Sequence, residues 1–231
     1  MKKRAIFNWS GGKDSALALY HTMKNDVFEV QELITTVNAD LERISMHGVR
    51  RSMLEKQVKA IELPLSVISL PTEIDMSTYD ALMKKELNRI CEGGVTHSVF
   101  GDIFLEDLKN YREERLKEVG LEGYFPLWKR DTKEIIQEFL SLGFRTLVVS
   151  VDGSKLDKSF AGRELDQAFL NDLPDDVDPC GENGEFHTFV FDGPIFKTPI
   201  QFEKGEVVGK SYELSKTAPE KTVTYWFQDI I

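Results

Sequence analysis

The sequence predicts an α/β fold built on a parallel sheet with helices on both faces, followed by a small, mainly β region toward the C-terminal end. Three observations predict it. Apolar strand-like runs alternate with helix-like stretches through the first two thirds of the 231 residues. Two glycines stand at the first strand-to-helix junction, in Ser10-Gly11-Gly12-Lys13-Asp14-Ser15. After about residue 171 the chain turns acidic and glycine-rich and then carries two alternating runs. This shift divides the chain into residues 1–171 and 172–231.

Taken in order, Arg4 to Trp9 reads as a strand, Ser15 to Lys24 as a helix, and Val30 to Val37 as a buried strand rich in apolar and β-branched residues. His47 to Leu63 carries Val49, Met53, Val58 and Ile61 at roughly helical spacing and is closed by Pro64. Leu65 to Leu70 reads as a strand, Thr78 to Cys91 as a helix and Ser98 to Asp102 as a strand ending on Gly-Asp. Leu105 to Glu118 is a charged helix stopped by Gly120, Thr132 to Leu142 a helix stopped by Gly143, and Thr146 to Val151 a strand of the same sheet. Ligands of such a sheet bind at the carboxyl ends of its strands, and Ser10, Asp102 and Asp152 all follow predicted strand ends. The expectation is that the three converge on one crevice. Asn171 to Asp178 reads as a polar link, and Val207 to Leu214 with Thr222 to Asp229 as an antiparallel pair folding back over the crevice.

Composition narrows the functional classes. A net charge of −10 and a pI near 5.0 argue against broad nucleic-acid binding, which requires excess Lys and Arg to displace counterions. The two cysteines, Cys91 and Cys180, are far apart, which speaks against a disulfide framework, a zinc site or a redox pair. The basic start is not followed by a signal-peptide core, and no apolar run reaches membrane-spanning length, so the chain reads as soluble and cytoplasmic.

The loop from Ser10 to Ser15 has the chemistry of a phosphate cradle. Gly11 and Gly12 let successive N–H groups aim at one point, the helix start adds its positive end, Lys13 adds a mobile charge, and Ser10 and Ser15 add hydroxyls. The four-residue spacing of a Walker loop is absent. The hexapeptide instead resembles the signature of the PP-loop ATP pyrophosphatases, which cut ATP between its α and β phosphates. An ordinary strand-to-helix turn is the plain alternative. A second cluster, Cys180-Gly181-Glu182-Asn183-Gly184-Glu185-Phe186-His187-Thr188, packs acids, an amide, a His and a Thr among glycines. Such groups are costly to bury without partners; an exposed β-turn is the alternative.

The segment Gly181 to Thr188, with Asp192-Gly193-Pro194, resembles the second signature of the diphthine–ammonia ligase family within the PP-loop superfamily. Between the two signatures the similarity runs through Gly101-Asp102-Ile103, Arg112 with Arg115, and Leu127-Trp128, covering about residues 4 to 196. The resemblance implies a Rossmann-like domain of the adenine nucleotide alpha-hydrolase (HUP) type with a family-specific C-terminal part. It implies ATP-dependent amidation, in which a carboxylate receives AMP, pyrophosphate departs, and ammonia displaces AMP. The implied partners are ATP, Mg2+, ammonia and a carboxylate acceptor, either protein-borne diphthine or a small molecule.

On this reading Ser10, Gly11, Gly12, Lys13, Asp14 and Ser15 hold pyrophosphate, with Asp14 also facing magnesium or capping the helix. Gly101 and Asp102 are candidates for nucleotide or magnesium contact, the alternative for Asp102 being a helix cap. Met46 and His47 are candidates for the adenosine wall, the alternative for His47 being a backbone-bonded residue at a helix start. Arg112 and Arg115 lie three apart on one helix face, suited to phosphate or to the substrate carboxylate, unless they are simply an exposed pair. Glu182, Asn183, Glu185, His187 and Thr188 are assigned to the acceptor side, either Glu serving as base and Asn183 binding a polar substrate atom. Trp128 is a pocket wall or core, and Cys180 a small buried residue. The chain departs from the family pattern in lacking a Cys between Tyr111 and Gly120 and the additional domains of larger members. The competing functions are a PP-loop enzyme acting on tRNA, amidation of a small metabolite, and a non-catalytic ATP-binding module. Oligomeric state is not legible in the sequence, although exposed strands of a small β region often pair across subunits into a homo-oligomer.

Overall fold

The computed structural model describes residues 2–44, 47–213 and 222–231. Its first strand explains the layering. In β1 (Lys3–Asn8) Ala5, Ile6 and Phe7 are all fully buried, so both faces of the strand are covered. Ala5 and Phe7 point into one apolar cluster together with α1 (Lys13–Lys24) and α2 (Arg51–Ile61). Ile6 points into a second cluster with α3 (Met76–Cys91) and α4 (Glu106–Lys117).

Around β1 the first sheet is parallel. β2 (Phe28–Asn38) pairs with β1 on one edge and with β4 (Leu65–Leu70) on the other, while β5 (His97–Val99) takes the opposite edge of β1 and β6 (Glu122–Tyr124) follows it. The two-residue β3 (Arg43–Ile44) adds antiparallel to the end of β2. The strand order is therefore β4-β2-β1-β5-β6. It reverses direction between β1 and β5, and a crevice opens at the carboxyl ends of strands at such a switch point. Ser10 and Gly101 both open onto this crevice.

The second sheet is antiparallel, in the order β8-β7-β10-β9, from β7 (Arg145–Asp152), β8 (Phe186–Asp192), β9 (Lys204–Glu213) and β10 (Thr222–Ile230). Its inner residues Leu147, Val149, Val151, Phe186 and Phe189 belong to the same cluster as α1 and α2. α1 is consequently buried on nearly every side through its first two turns. α5 (Thr132–Ser141) buries Ile135, Ile136 and Phe139 in this cluster, and α6 (Gln167–Asp172) buries Phe169.

Three sequence expectations are corrected. The strand at Thr146 to Val151 belongs to the antiparallel sheet, with Thr146 opposite Val190 and Val151 opposite Trp226. A continuous apolar run reads the same in a parallel sheet and in a sheet sandwiched between other layers, which is why periodicity misplaced it. Asp152 accordingly lies away from the crevice, its carboxylate accepting from Ser154 N and Oγ. A boundary at 171/172 cuts through this second sheet. Finally, the helix expected from His47 begins at Arg51.

β10 is clamped to the first sheet by Asp229, whose carboxylate accepts from Arg50 Nη2 at 2.5 Å and Arg43 Nη1 at 3.0 Å. These bonds, those from Arg50 foremost, pull its pKa down to about 2. A carboxyl held below its unfolded value stabilises the protein above about pH 4, and that stabilisation is lost as the pH falls through 2. Asp229→Asn should lower the melting temperature at neutral pH by roughly 2–4 °C, the equivalent of about 1 kcal/mol for a largely solvated pair. In melting curves recorded against pH, the gap should close as the pH falls from about 4 to about 2.

Candidate functional site

α1 starts on Gly12 without a side-chain cap from its own segment. Its first-turn N–H groups therefore need other partners. One comes from the second sheet, where Thr188 Oγ1 accepts from Lys13 N at 3.0 Å. Ser10 Oγ lies 3.0 Å from Ser15 Oγ and accepts from Gly12 N, so the two loop hydroxyls face each other across the helix start. Gly11 has φ +80°, and its carbonyl accepts from Val190 N and from Gln57 Nε2. Gln57, wholly buried on α2, also donates to Val190 O and accepts from Trp9 Nε1. The loop is thus fixed by α2 on one side and β8 on the other.

Two glycines set how closely the walls approach. A Cβ on Gly12 would come within 2.8 Å of His47 Cε1, and one on Gly101 would lie 2.9 Å from both Asp14 C and Ser15 N. Between these walls lies a cleft of about 680 Å³. Ser10, Gly12, Lys13, Asp14, Ser15, Gly101, Asp102, Arg112, Arg115, Glu182, Asn183, His187 and Thr188 all line it, as does His47. Gly11 faces Gln57 behind the lining. Met46 lies outside the described residues. Trp128 is half-buried against Phe125 and outside the lining.

The charges of the cleft are interlocked. Lys13 is 4% exposed, with Nζ 2.7 Å from Asp14 Oδ2 and 5.6 Å from the centre of the Phe186 ring. Burial alone would lower its pKa, but Asp14 and more distant acids turn the net shift upward, so the ammonium stays charged. Asp14 does not cap the helix, and its Oδ1 is buried without a hydrogen-bond partner. Burial pushes its pKa up, against the pull of Lys13. Asp102 is paired with Arg112, Nε to Oδ2 at 2.9 Å, and is pushed up by burial; α4 starts on Leu105 with no side-chain cap, so Asp102 is not its cap. Arg112 lies over the Phe100 ring, and Arg115 pairs with Glu118 and Asp80. Tyr111 donates its hydroxyl to Asp80.

Glu182 accepts from Ile103 N at 3.1 Å, joining the second signature to the end of the β5 segment, and its pKa is pushed up to about 7 by burial and then by Asp14 and Asp102. An acid whose native pKa lies above its unfolded value of 4.5 binds its proton more tightly when folded. Its contribution to stability therefore declines as the pH rises from about 4.5 through 7. Glu182→Gln should match the natural protein near pH 4 and exceed its stability near pH 8 by on the order of 2 kcal/mol, read from urea melts at the two pH values.

Glu185 is placed differently from its expected role. It is 3% exposed and outside the lining, and its carboxylate accepts from Asp178 N, Asn183 N and Asn183 Nδ2. It shapes the turn that presents Glu182 and Asn183. Asp178, read from sequence as part of a polar link, also organises this turn through Thr132, Cys180 N and Glu182 N. His187 and His47 stack with centroids 4.7 Å apart, and His47 Nδ1 bonds Thr188 O at 3.1 Å. Burial depresses both imidazoles, to about 3 and about 4 respectively, so both are neutral at physiological pH. Cys180 is buried, and burial pushes its thiol far up, as befits a packing residue. Gln57 was missed, although an amide on the apolar side of a predicted amphipathic helix, beside Met53 and Ile61, was a usable signal. Tyr79 and Tyr111 also line the cleft and left no comparable trace in the sequence.

Among the described residues no helix is long and apolar enough to cross a membrane. Residues 1–123 match the family model described as the diphthamide synthase N-terminal domain, and residues 131–216 the one described as the diphthamide synthase C-terminal domain. The diphthine–ammonia ligase of Schizosaccharomyces pombe is 24% identical over 220 residues, 87% of this chain and 36% of that protein. The Bos taurus protein of the same name is 34% identical over 46% of this chain and 42% of its own length. The human one is 33% identical over 45% of this chain and 41% of its own. The chain thus spans well under half the length of these curated relatives. Among solved structures, the U34-tRNA thiolase NcsA from Methanococcus maripaludis aligns at 20% identity and a TM-score of 0.38, over 61% of this chain and 57% of that one.

Proposed function

The chain belongs to the diphthamide synthase family, and on that footing we propose that it is an ATP-dependent ligase that adenylates a carboxylate and amidates it with ammonia, diphthine being the acceptor named in its relatives. The observation that carries the reading is the junction of the two signatures in one cleft, where Lys13 N meets Thr188, with the intervening Gly101-Asp102-Ile103 segment tied to the second signature through Ile103 N and Glu182. A phosphate loop alone would serve a binding module. Its closure by an acid-rich turn suits a reaction in which an acceptor must be brought to the nucleotide.

In the proposed reaction an acceptor carboxylate oxygen bonds to the α-phosphorus of ATP, and the bond from that phosphorus to the bridging oxygen of the β-phosphate breaks. The N–H groups at the start of α1, Ser10, Ser15 and Lys13 hold the departing pyrophosphate. Ammonia then bonds to the acyl carbon and AMP leaves with the electrons of the broken C–O bond. Arg112, already paired with a carboxylate in Asp102, can exchange it for phosphate or acceptor. Glu182, its carboxyl pushed up to about 7 by burial, takes the proton that nitrogen loses on bond formation. His187, its imidazole depressed to about 3, lines the same cleft as a neutral polar group. One group suits a magnesium ion brought in on phosphate oxygens, since Asp14 Oδ1 is buried without a partner, although among the described residues no group of three His, Cys, Asp or Glu is placed to hold a metal. Asp14 would hold it, together with phosphate oxygens, and the ion would neutralise charge developing on the leaving group.

The division of labour assigns the nucleotide to the first 124 residues and the acceptor-facing turn to the second sheet. The test is acceptor-dependent exchange of labelled pyrophosphate into ATP with magnesium present and ammonia withheld, screened over small carboxylates and a diphthine-bearing elongation factor. Exchange with one acceptor establishes adenylation and identifies the substrate class. ATP binding with no exchange for any acceptor would overturn the ligase reading in favour of the binding module.

A further inference from the structure

The second sheet ends on β9, and among the described residues no strand pairs with its outer edge. This edge is ten residues long, and residues 206–212 are all exposed, including Val207, Val208 and Tyr212 at 40%, 45% and 49%. A long edge with unpaired N–H and C=O groups is a template for another strand. Proteins commonly defend such edges with proline or with charges of one sign, and β9 has neither. Its charges alternate in sign along Lys204-Gly205-Glu206-Val207-Val208-Gly209-Lys210-Ser211-Tyr212.

That pattern is self-complementary in one register. Laid antiparallel on a second copy about a two-fold axis through Val208, Glu206 faces Lys210 of the partner subunit, and Lys210 faces Glu206 of the partner subunit. Val208 meets its own counterpart, and Lys204 lies beside Tyr212 of the partner subunit. Directly opposite residues are the pairs that stabilise a sheet. Neighbouring registers lose the match. Centring the axis on Val207 sets Lys204 against Lys210, centring it on Gly209 leaves no Glu–Lys pair, and centring it on Glu206 or Lys210 opposes like charges.

The face that carries Val208, Lys210 and Tyr212 also carries Phe227, Tyr225 and Val223, their neighbours on β10. Tyr212 and Tyr225 already meet edge to face, with centroids 5.9 Å apart. In the register centred on Val208, these apolar faces lie on the same side in both copies and join into one aromatic band. An off-by-one register would put them on opposite sides. We propose that two copies of this chain pair through β9, centred on Val208, into a continuous antiparallel sheet of twice four strands. The two-fold axis closes the assembly, so each edge is used once and no fibre results.

The test is sedimentation and light scattering of the full chain. The natural protein should run at twice its 26.4 kDa. Glu206→Lys or Lys210→Glu alone should raise the dimer dissociation constant by about tenfold or more, because each change turns two attractive pairs into repulsive ones. The swap Glu206→Lys with Lys210→Glu should restore it. Both side chains are exposed, so at dilutions where natural and variant proteins are both monomeric their melting should coincide, and a loss of dimer is then not a loss of fold. In addition, Val208→Cys should give a covalent dimer on mild oxidation, since the two positions face each other across the axis. A natural protein that stays monomeric at every concentration overturns the proposal. So does a dimer indifferent to both single substitutions, which would place the interface elsewhere.

Discussion

Lys13→Met should lower pyrophosphate exchange by about 10²–10³-fold, the usual cost of removing one preorganised group that meets charge developing in the transition state. The ammonium is buried, charged and tethered to Asp14 at 2.7 Å, with the Phe186 ring on its other side. Such a group reorganises little when a phosphate arrives, because its desolvation has already been met in the folded state. Methionine keeps the stem length and removes the charge. It also leaves Asp14 buried without its partner, which carries a stability cost of up to about 3–5 kcal/mol unless the carboxyl takes up a proton. Melting temperature and exchange must therefore be measured together. Asp14→Asn combined with Lys13→Met removes the stranded carboxylate. If exchange recovered in that double variant, Lys13 would serve the fold and not the phosphate.

Gly101→Ala should abolish nucleotide binding while adding a single methyl group. The new carbon would lie 2.9–3.0 Å from backbone atoms of Asp14 and Ser15, which cannot rotate away as a side-chain tip can. Relief requires the start of α1 to move from the end of β5, and those are the two walls of the crevice. Overpacking of this kind costs about 1–3 kcal/mol of stability, modest for the fold but decisive for a loop whose donors must converge on one phosphate. Isothermal titration with ATP, alongside a melting curve, distinguishes the two losses. Binding within a few-fold of the natural protein would mean the walls are not rigid.

The parts of this molecule that were legible in its sequence are those encoded locally. The glycine turn at Ser10 to Ser15 and most elements up to Ser141 follow from glycine placement and apolar spacing, because each is specified within a dozen residues, whereas the pairing of the two signatures is legible only through family resemblance. β6, three residues long, is too short to leave a pattern. β7 was seen as a strand but given to the wrong sheet, since burial on both faces erases the alternation that would tell the two sheets apart. Glu185 has the chemistry of a base, and its three hydrogen bonds, from Asp178 N, Asn183 N and Asn183 Nδ2, cannot be read from residue type or spacing. Thr188 was assigned to the acceptor, but its hydroxyl is committed to Lys13 N, 175 residues away in the chain.

That last contact has a consequence for how the protein is made. As the chain leaves a ribosome, the first 124 residues can assemble a parallel sheet, but the Ser10–Ser15 loop then lacks both Thr188 and the Val190 N–H that holds Gly11 O. The loop gains these partners only when β8 has emerged and docked, a late step because contacts so distant in sequence close slowly. A truncated or nascent chain would carry the signature without the competence to use it.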